Sequence, residues 1–212
     1  MKITRVIFIT AALFTASTFA QTFEVYGDYS YMQFNPTITG INSYAFNGGG
    51  GGAQWNIVRM FGIKGDFQGY GSKQVTYNVT SPIITSAGII PVGTYKSNFN
   101  MFQYFFGPVV NVPLHRVTVF GEILFGQNNT NGYASLSNAI IAGGGTIKGV
   151  ATQHPFAMAV GGGFDLNLNK HIALRLGEFD YLLTRFSNPI INTNNQNSFR
   201  YVGGVVFKFG EQ

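Results

Sequence analysis

The sequence predicts an all-β chain, an eight-stranded antiparallel up-and-down transmembrane β-barrel. Three observations predict it. Charged residues make up 10% of the 212 positions while aromatics reach 16% and glycine counts 28. A soluble domain carries about 25% charged residues to coat its surface, so much of this surface does not face water. Second, period-two alternation of apolar and polar residues runs through almost the whole chain. Third, the connections between alternating segments are short and long in turn, as in barrels with short turns at one end and long polar loops at the other.

The first residues read as an export signal. "MKITR" is a short basic start, "VIFITAALF" an apolar run, and "TASTFA" places Thr18 and Ala20 where a signal peptidase acts. The apolar run is too short for a spanning helix, which needs about 20 residues. Residues 1–20 are therefore expected to be a cleaved signal peptide and residues 21–212 the barrel. Loss of Lys2 and Arg5 takes the formal charge from +5 to about +3. There is no cysteine and no Lys/Arg run, so neither a disulfide framework nor nucleic-acid binding is expected.

The strands follow in order. Thr22 to Phe34 alternates, with Phe23, Val25, Gly27, Tyr29 and Tyr31 on one face and Glu24, Tyr26, Asp28, Ser30 and Met32 on the other. Tyr44 to Ile57 holds five consecutive glycines, marking a bend or a close backbone approach. Phe61 to Gly71 sets Phe61, Ile63 and Phe67 against Lys64, Asp66 and Gln68. Asn98 to Val110 opposes Phe102, Tyr104 and Phe106 to Gln103, with Phe105 out of pattern. Arg116 to Gln127 opposes Val117, Val119, Ile123 and Phe125 to Thr118, Phe120 and Glu122. Thr152 to Asn167 opposes Phe156, Met158, Val160 and Phe164 to Ala157, Ala159 and Asp165. Ile172 to Thr184 changes phase: Ile172, Leu174 and Leu176 are continued by Phe179, Tyr181 and Leu183. One extra residue near Gly177 repairs the phase, as a β-bulge does, and aligns Arg175, Glu178 and Asp180. The last strand, "SFRYVGGVVFKFG", puts Phe199, Tyr201, Val205, Phe207 and Phe209 on one face and Arg200 and Lys208 on the other.

With the aromatic faces toward lipid, no charge meets hydrocarbon, and the eighth strand closes on the first without leaving an edge. The inverse assignment would place Arg or Lys in lipid at about 2–4 kcal/mol each near the midplane. Tyr31, Tyr104, Tyr181, Tyr201, Phe207 and Phe209 are expected to form interfacial girdles. Glu24, Asp28, Lys64, Asp66, Glu122, Arg175, Glu178, Asp180, Arg200 and Lys208 then point inward. An eight-stranded barrel has room only for its own side chains, and an isolated buried charge is costly. A salt-bridged lumen with no wide pore is expected.

No catalytic, cofactor-binding or metal-binding residue is predicted. His115 and His171 fall in short turns, and His154 is followed by Pro155 with no nearby serine. A nucleophile needs a base and an orienting group, and no such set is present. Glu178 and Asp180 have Arg175 beside them and read as ion-pair partners. Gly48 to Gly52 lacks the Lys-Ser/Thr of a phosphate cradle. The long links at 72–97 and 128–151 carry Ile pairs among Gly, Pro and Ser. They are expected to be hairpins extending the strands, and are the surfaces on which a ligand would be held.

The export signal, "GGGGGAQWNIVRMFGIKGDFQGYG", "FQYFFGPVV", "ALRLGEFDYLLTRF" and the terminal "YVGGVVFKF" together resemble the small OmpA-type outer-membrane β-barrels over the whole mature chain. The resemblance implies residence in the bacterial outer membrane among lipids and lipopolysaccharide. It implies a non-catalytic role in stabilising the envelope or in adhesion through the outer loops. The alternatives are a lipid A-modifying hydrolase and a narrow passive channel. It further implies recognition by the barrel-assembly machinery through Gly204, Phe207 and Phe209. Gly210, Glu211 and Gln212 follow the last Phe, and Val202 stands where a polar residue is common in the family.

Overall fold

A computed structural model describes residues 22–35, 43–85, 87–149, 152–186 and 195–210. The expected signal peptide and most of the links at 35–43 and 185–197 lie outside the described residues.

Eight strands close into one barrel. They are β1 (Thr22–Asn35), β2 (Tyr44–Val58), β3 (Phe61–Val79), β6 (Gly93–Leu114), β7 (Val117–Thr130), β8 (Phe156–Asn167), β9 (Ile172–Arg185) and β10 (Asn195–Phe209). Each pairs antiparallel with its chain neighbour, and β1 closes the ring against β10. Two short strands, β4 (Ile83–Thr85) and β5 (Gly88–Ile90), form a separate ribbon between β3 and β6. Helix α1 (Gly132–Ala142) follows β7.

The predicted faces hold along the seven barrel strands to which the alternation assigns them. Phe23, Ile63, Phe106, Ile123, Val160, Phe179 and Phe207 are exposed, while Lys64, Asp66, Glu122, Arg175, Glu178, Asp180 and Arg200 are buried. Apolar outside and ionic inside is the reverse of a soluble domain, and it is what a hydrocarbon solvent selects. The run at Gly48–Gly52 has its reason in the lumen. A Cβ on Gly50 would strike Gln68, and one on Gly52 would strike Tyr26, so β2 yields its inner face to side chains from β3 and β1.

The expected bulge sits at Leu176–Gly177. Phe164 faces Gly177 while Asp165 faces Arg175, and Val202 faces Glu178 while Gly204 faces Arg175. Tyr201, expected in a girdle, lies instead halfway along β10 and donates its hydroxyl to the Leu176 carbonyl at 2.9 Å. A polar group unpaired in hydrocarbon is costly, so this phenol serves the bulge. Tyr201→Phe is expected to lower barrel stability by about 1–3 kcal/mol. Urea unfolding in detergent, followed by the fluorescence of the single tryptophan Trp55, measures the loss.

The outer links depart from the expected pattern in one respect. The 72–97 link is a hairpin extension, as predicted: β3 and β6 continue their pairing to Val79 and Gly93. The 128–151 link is not a hairpin but contains α1. Tyr133, Leu136 and Ile140 recur at helical spacing and are buried against the inner face of the extended hairpin. Serines between these residues and glycines on both flanks hid that short period. The helix ends where Gly144 takes φ +88°, a left-handed conformation suited to glycine. Gly132 packs so closely on the Phe99 ring that no side chain fits there.

Candidate functional site

Two zones of buried side chains fill the barrel. The inner zone is ionic. From β3, Lys64 donates to Glu122 at 2.9 Å and to Glu178 at 2.7 Å. Arg175 meets Asp165 through Nε and Nη2 at 2.9 and 3.2 Å, and Glu178 through Nη1 at 2.8 Å. Arg200 reaches Asp66 at 2.6 Å, Asp180 at 2.8 Å and Glu178 at 3.4 Å. Glu178 therefore joins three cations from three strands. Arg175 is also sandwiched between the rings of Tyr26 and Phe120, its Cζ 4.7 and 4.6 Å from their centroids. Such stacking suits a planar, weakly hydrated guanidinium.

All ten charged groups that the alternation turns inward line the lumen, nine of them buried and Asp28 half-buried, and Glu24 and Lys208 lie 3.8 Å apart at the periplasmic mouth. Asp165 stands on an inner face of the alternation but outside the ten groups expected to pair. It is the fork partner of Arg175, in the pair that directly adjoins the bulge. Among the described residues, seven carboxylates and four cations line this lumen, which takes every acidic residue of the chain except Glu211. Oxygens of Glu122, Glu178 and Asp180 lie within 4.8 Å of one another. This is not an open ligand set, because Lys64 and Arg200 already donate to all three.

Above the ions the lumen turns apolar, which corrects the expectation of a wholly polar interior. Phe34, Phe46, Tyr44 and Tyr133 surround Phe99 with ring centroids 5.6–6.0 Å away. Tyr133 of α1 also packs on Phe186 at 5.2 Å. Burial raises the pKa of the Tyr133 phenol, which keeps it a hydrogen-bond donor toward Gln196. Phe105, out of pattern in the sequence, points inward with its ring 5.5 Å from the Arg200 guanidinium and links the two zones.

The two long outer links converge into one platform. The Thr146 amide bonds the Ile89 carbonyl and the Lys148 amide bonds the Ala87 carbonyl, at 3.2 and 3.0 Å, so the chain after α1 lies along the ribbon. Amides of Asn98 and Asn100 on the edge of β6 are capped by Ser135 and Asn131 at 3.0 and 3.1 Å. Ile84, 80% exposed, Ile89 and Val92 lie at the tip. His154 bonds Asn129 at 2.6 Å, with an amide oxygen rather than a carboxylate facing its ring. His115 and His171 are exposed in the short turns, as expected.

A sealed eight-stranded cylinder with a greasy exterior, an ionic interior, short turns at one end and long loops at the other is an outer-membrane β-barrel. Solved structures of that class share the fold. OprG from Pseudomonas aeruginosa superposes with a TM-score of 0.61 at 12% identity, covering 89% of this chain and 96% of that one. Neisserial surface protein A gives 0.58 at 12%, covering 88% and 97%. Ail, the attachment invasion locus protein of Yersinia pestis, gives 0.50 at 11%, covering 89% and 99%. No family model and no curated protein sequence matches the chain.

Proposed function

We propose that this protein is a non-catalytic barrel whose outer loops form a contact platform, used in adhesion or in stabilising the envelope. The observation that carries this reading is the contrast between a lumen filled by its own side chains and loops built into an ordered surface. A cylinder closed by both an ionic and an aromatic zone offers no route for solute. The platform, by contrast, spends backbone hydrogen bonds and a buried helix face on holding Ile84, Ile89 and Val92 outward. Exposed apolar patches of this kind mark contact sites. The likeness to the small OmpA-type barrels and to an attachment invasion locus protein supports the same reading. Contact with lipopolysaccharide around the belt, and insertion guided by Gly204, Phe207 and Phe209, belong to it.

The test is a pair of measurements on one preparation. Planar-bilayer recordings of the refolded protein are expected to show no unitary conductance steps. Cells displaying the protein are expected to adhere or to resist envelope stress, and to lose that property when Ile84 and Ile89 become serine while the barrel still folds. Steady conductance, or an unchanged phenotype in the Ser variant, overturns the proposal.

A further inference from the structure

We propose that the lumen holds a hard divalent cation of the calcium type between Asp28 of β1 and Gln68 of β3. The first observation is the state of Asp28. Six of the seven lumen carboxylates lie within 3.8 Å of a lysine or arginine nitrogen. Among the described residues Asp28 joins none of these ion pairs, and its buried Oδ2 has no hydrogen-bond partner. The undescribed residues bring no cation to it, because the Lys and Arg among them are Lys2 and Arg5 of the expected signal peptide.

The second observation is Gln68, which is wholly buried. Its Nε2 donates to Oδ1 of Asp28 at 2.9 Å and to Oδ1 of Asp66 at 3.1 Å, while its own Oε1 has no partner. A buried acceptor left without a donor is costly. Two such oxygens, on side chains bonded to each other, make a ligand pair for a positive charge. The third observation is the room around them. Gly204 of β10 and Gly50 of β2 stand opposite Asp28 on its two flanking strands, so neither strand sets a side chain beside the carboxylate. A Cβ on Gly50 would lie 2.8 Å from Gln68 Oε1, so the glycine keeps that oxygen clear. Asp180 Oδ1 also lacks a partner, but its carboxylate is already met by Arg200 through Oδ2 at 2.8 Å.

The chemistry of the pair selects the ion. Oxygen ligands alone favour a hard cation. The described lumen has seven carboxylates against four cations, so a divalent ion reduces the excess of three negative charges to one. Calcium accepts a flexible oxygen shell, whereas magnesium demands a regular octahedron and holds its waters. A few oxygens fixed by strands of a narrow barrel fit the first requirement better. The bound ion ties β1 to β3 across β2.

Refolding in a neutral detergent with and without calcium tests this, at an ionic strength held constant with choline chloride. The wild-type urea midpoint is expected to rise with calcium and to saturate, the folded-to-unfolded ratio growing about tenfold at roughly ten times the dissociation constant. Magnesium is expected to raise it less. Asp28→Asn keeps the shape and removes the charge. It is expected to fold without calcium and to lose the rise, and Gln68→Leu is expected to need more calcium for the same rise. Glu24→Gln, which changes a carboxylate already paired with Lys208, is expected to keep it. Equilibrium dialysis of the folded wild-type protein is expected to find one calcium per barrel, whichever variants fold. A wild-type midpoint unmoved by calcium, no bound calcium, or a full rise in Asp28→Asn overturns the site. A midpoint that ignores calcium but rises on acidification, in the wild type and not in Asp28→Asn, assigns a proton to the carboxylate and overturns it too.

Discussion

Replacing Arg200 with methionine is expected to cost the barrel about 3–5 kcal/mol, the largest loss of any single lumen substitution. Arg200 is wholly buried and serves Asp66, Asp180 and Glu178 together. Methionine fills much of the same volume but takes a donor from three carboxylates, the ion-pair donor of Asp66 and Asp180 and one of three on Glu178. Asp66 and Asp180 then carry a desolvation cost without an ion-pair partner, while Glu178 keeps Lys64 and Arg175. The lumen holds seven carboxylates against four cations, so losing a cation deepens an existing imbalance, whereas losing an anion relieves it. Glu178→Gln, although it touches three cations, is therefore expected to cost less than Arg200→Met. The pair can be ranked by urea midpoints in one detergent, read from the shift between folded and unfolded bands on unheated gels. Equal losses, or the reverse order, would show that pairwise contacts rather than the overall imbalance govern the lumen.

Phe99→Ala is expected to loosen the outer cap without opening the barrel. Phe99 is fully buried and touches rings from β1, β2 and α1. Truncating a core phenylalanine costs about 3–5 kcal/mol when the site cannot collapse. Here that cost falls on the cap, because α1 rests on this ring through Tyr133 and Gly132. Limited proteolysis is expected to cut the variant faster within 128–151, while the membrane-embedded strands keep their gel shift. No conductance is expected to appear, since the ions around Glu178 still fill the inner zone. A variant that conducts would place the seal in the aromatic cap alone.

The two outcomes separate two kinds of closure with different physical origins. Ion pairs close the inner zone because charges taken from water must find each other. Rings close the outer zone because water leaves apolar surface there. A barrel needing only to stand in the membrane could use either. In this barrel the two lie one above the other, with Phe105 between them.

Much of this was legible in the sequence, and the legible part has one cause. Side chains on a strand alternate with period two, and a slip by one residue would send every aromatic inward and every ion into lipid. Hydrocarbon punishes that error strongly, so the pattern at Ile63, Lys64, Phe199 and Arg200 had to be plain. The bulge at Gly177 showed itself by the same rule, as a break in phase between Leu176 and Phe179. The eight alternating segments set the number of strands, and the need to leave no strand edge in hydrocarbon set the closed topology.

What the sequence left open depends on which residues meet across the barrel. Lys64 and Glu178 are 114 positions apart, and Arg200 and Asp66 are 134 apart. Their contact follows from curvature and strand stagger, which no local pattern records. Phe34, Phe46 and Phe99 occupy inward positions like those of the ions, and only the assembled cylinder sets their rings together above the charged zone. Helix α1 exists for a similar reason. Its apolar face of Tyr133, Leu136 and Ile140 is too short to hold a helix by itself, and it forms because the extended β3–β6 hairpin supplies the surface that buries it.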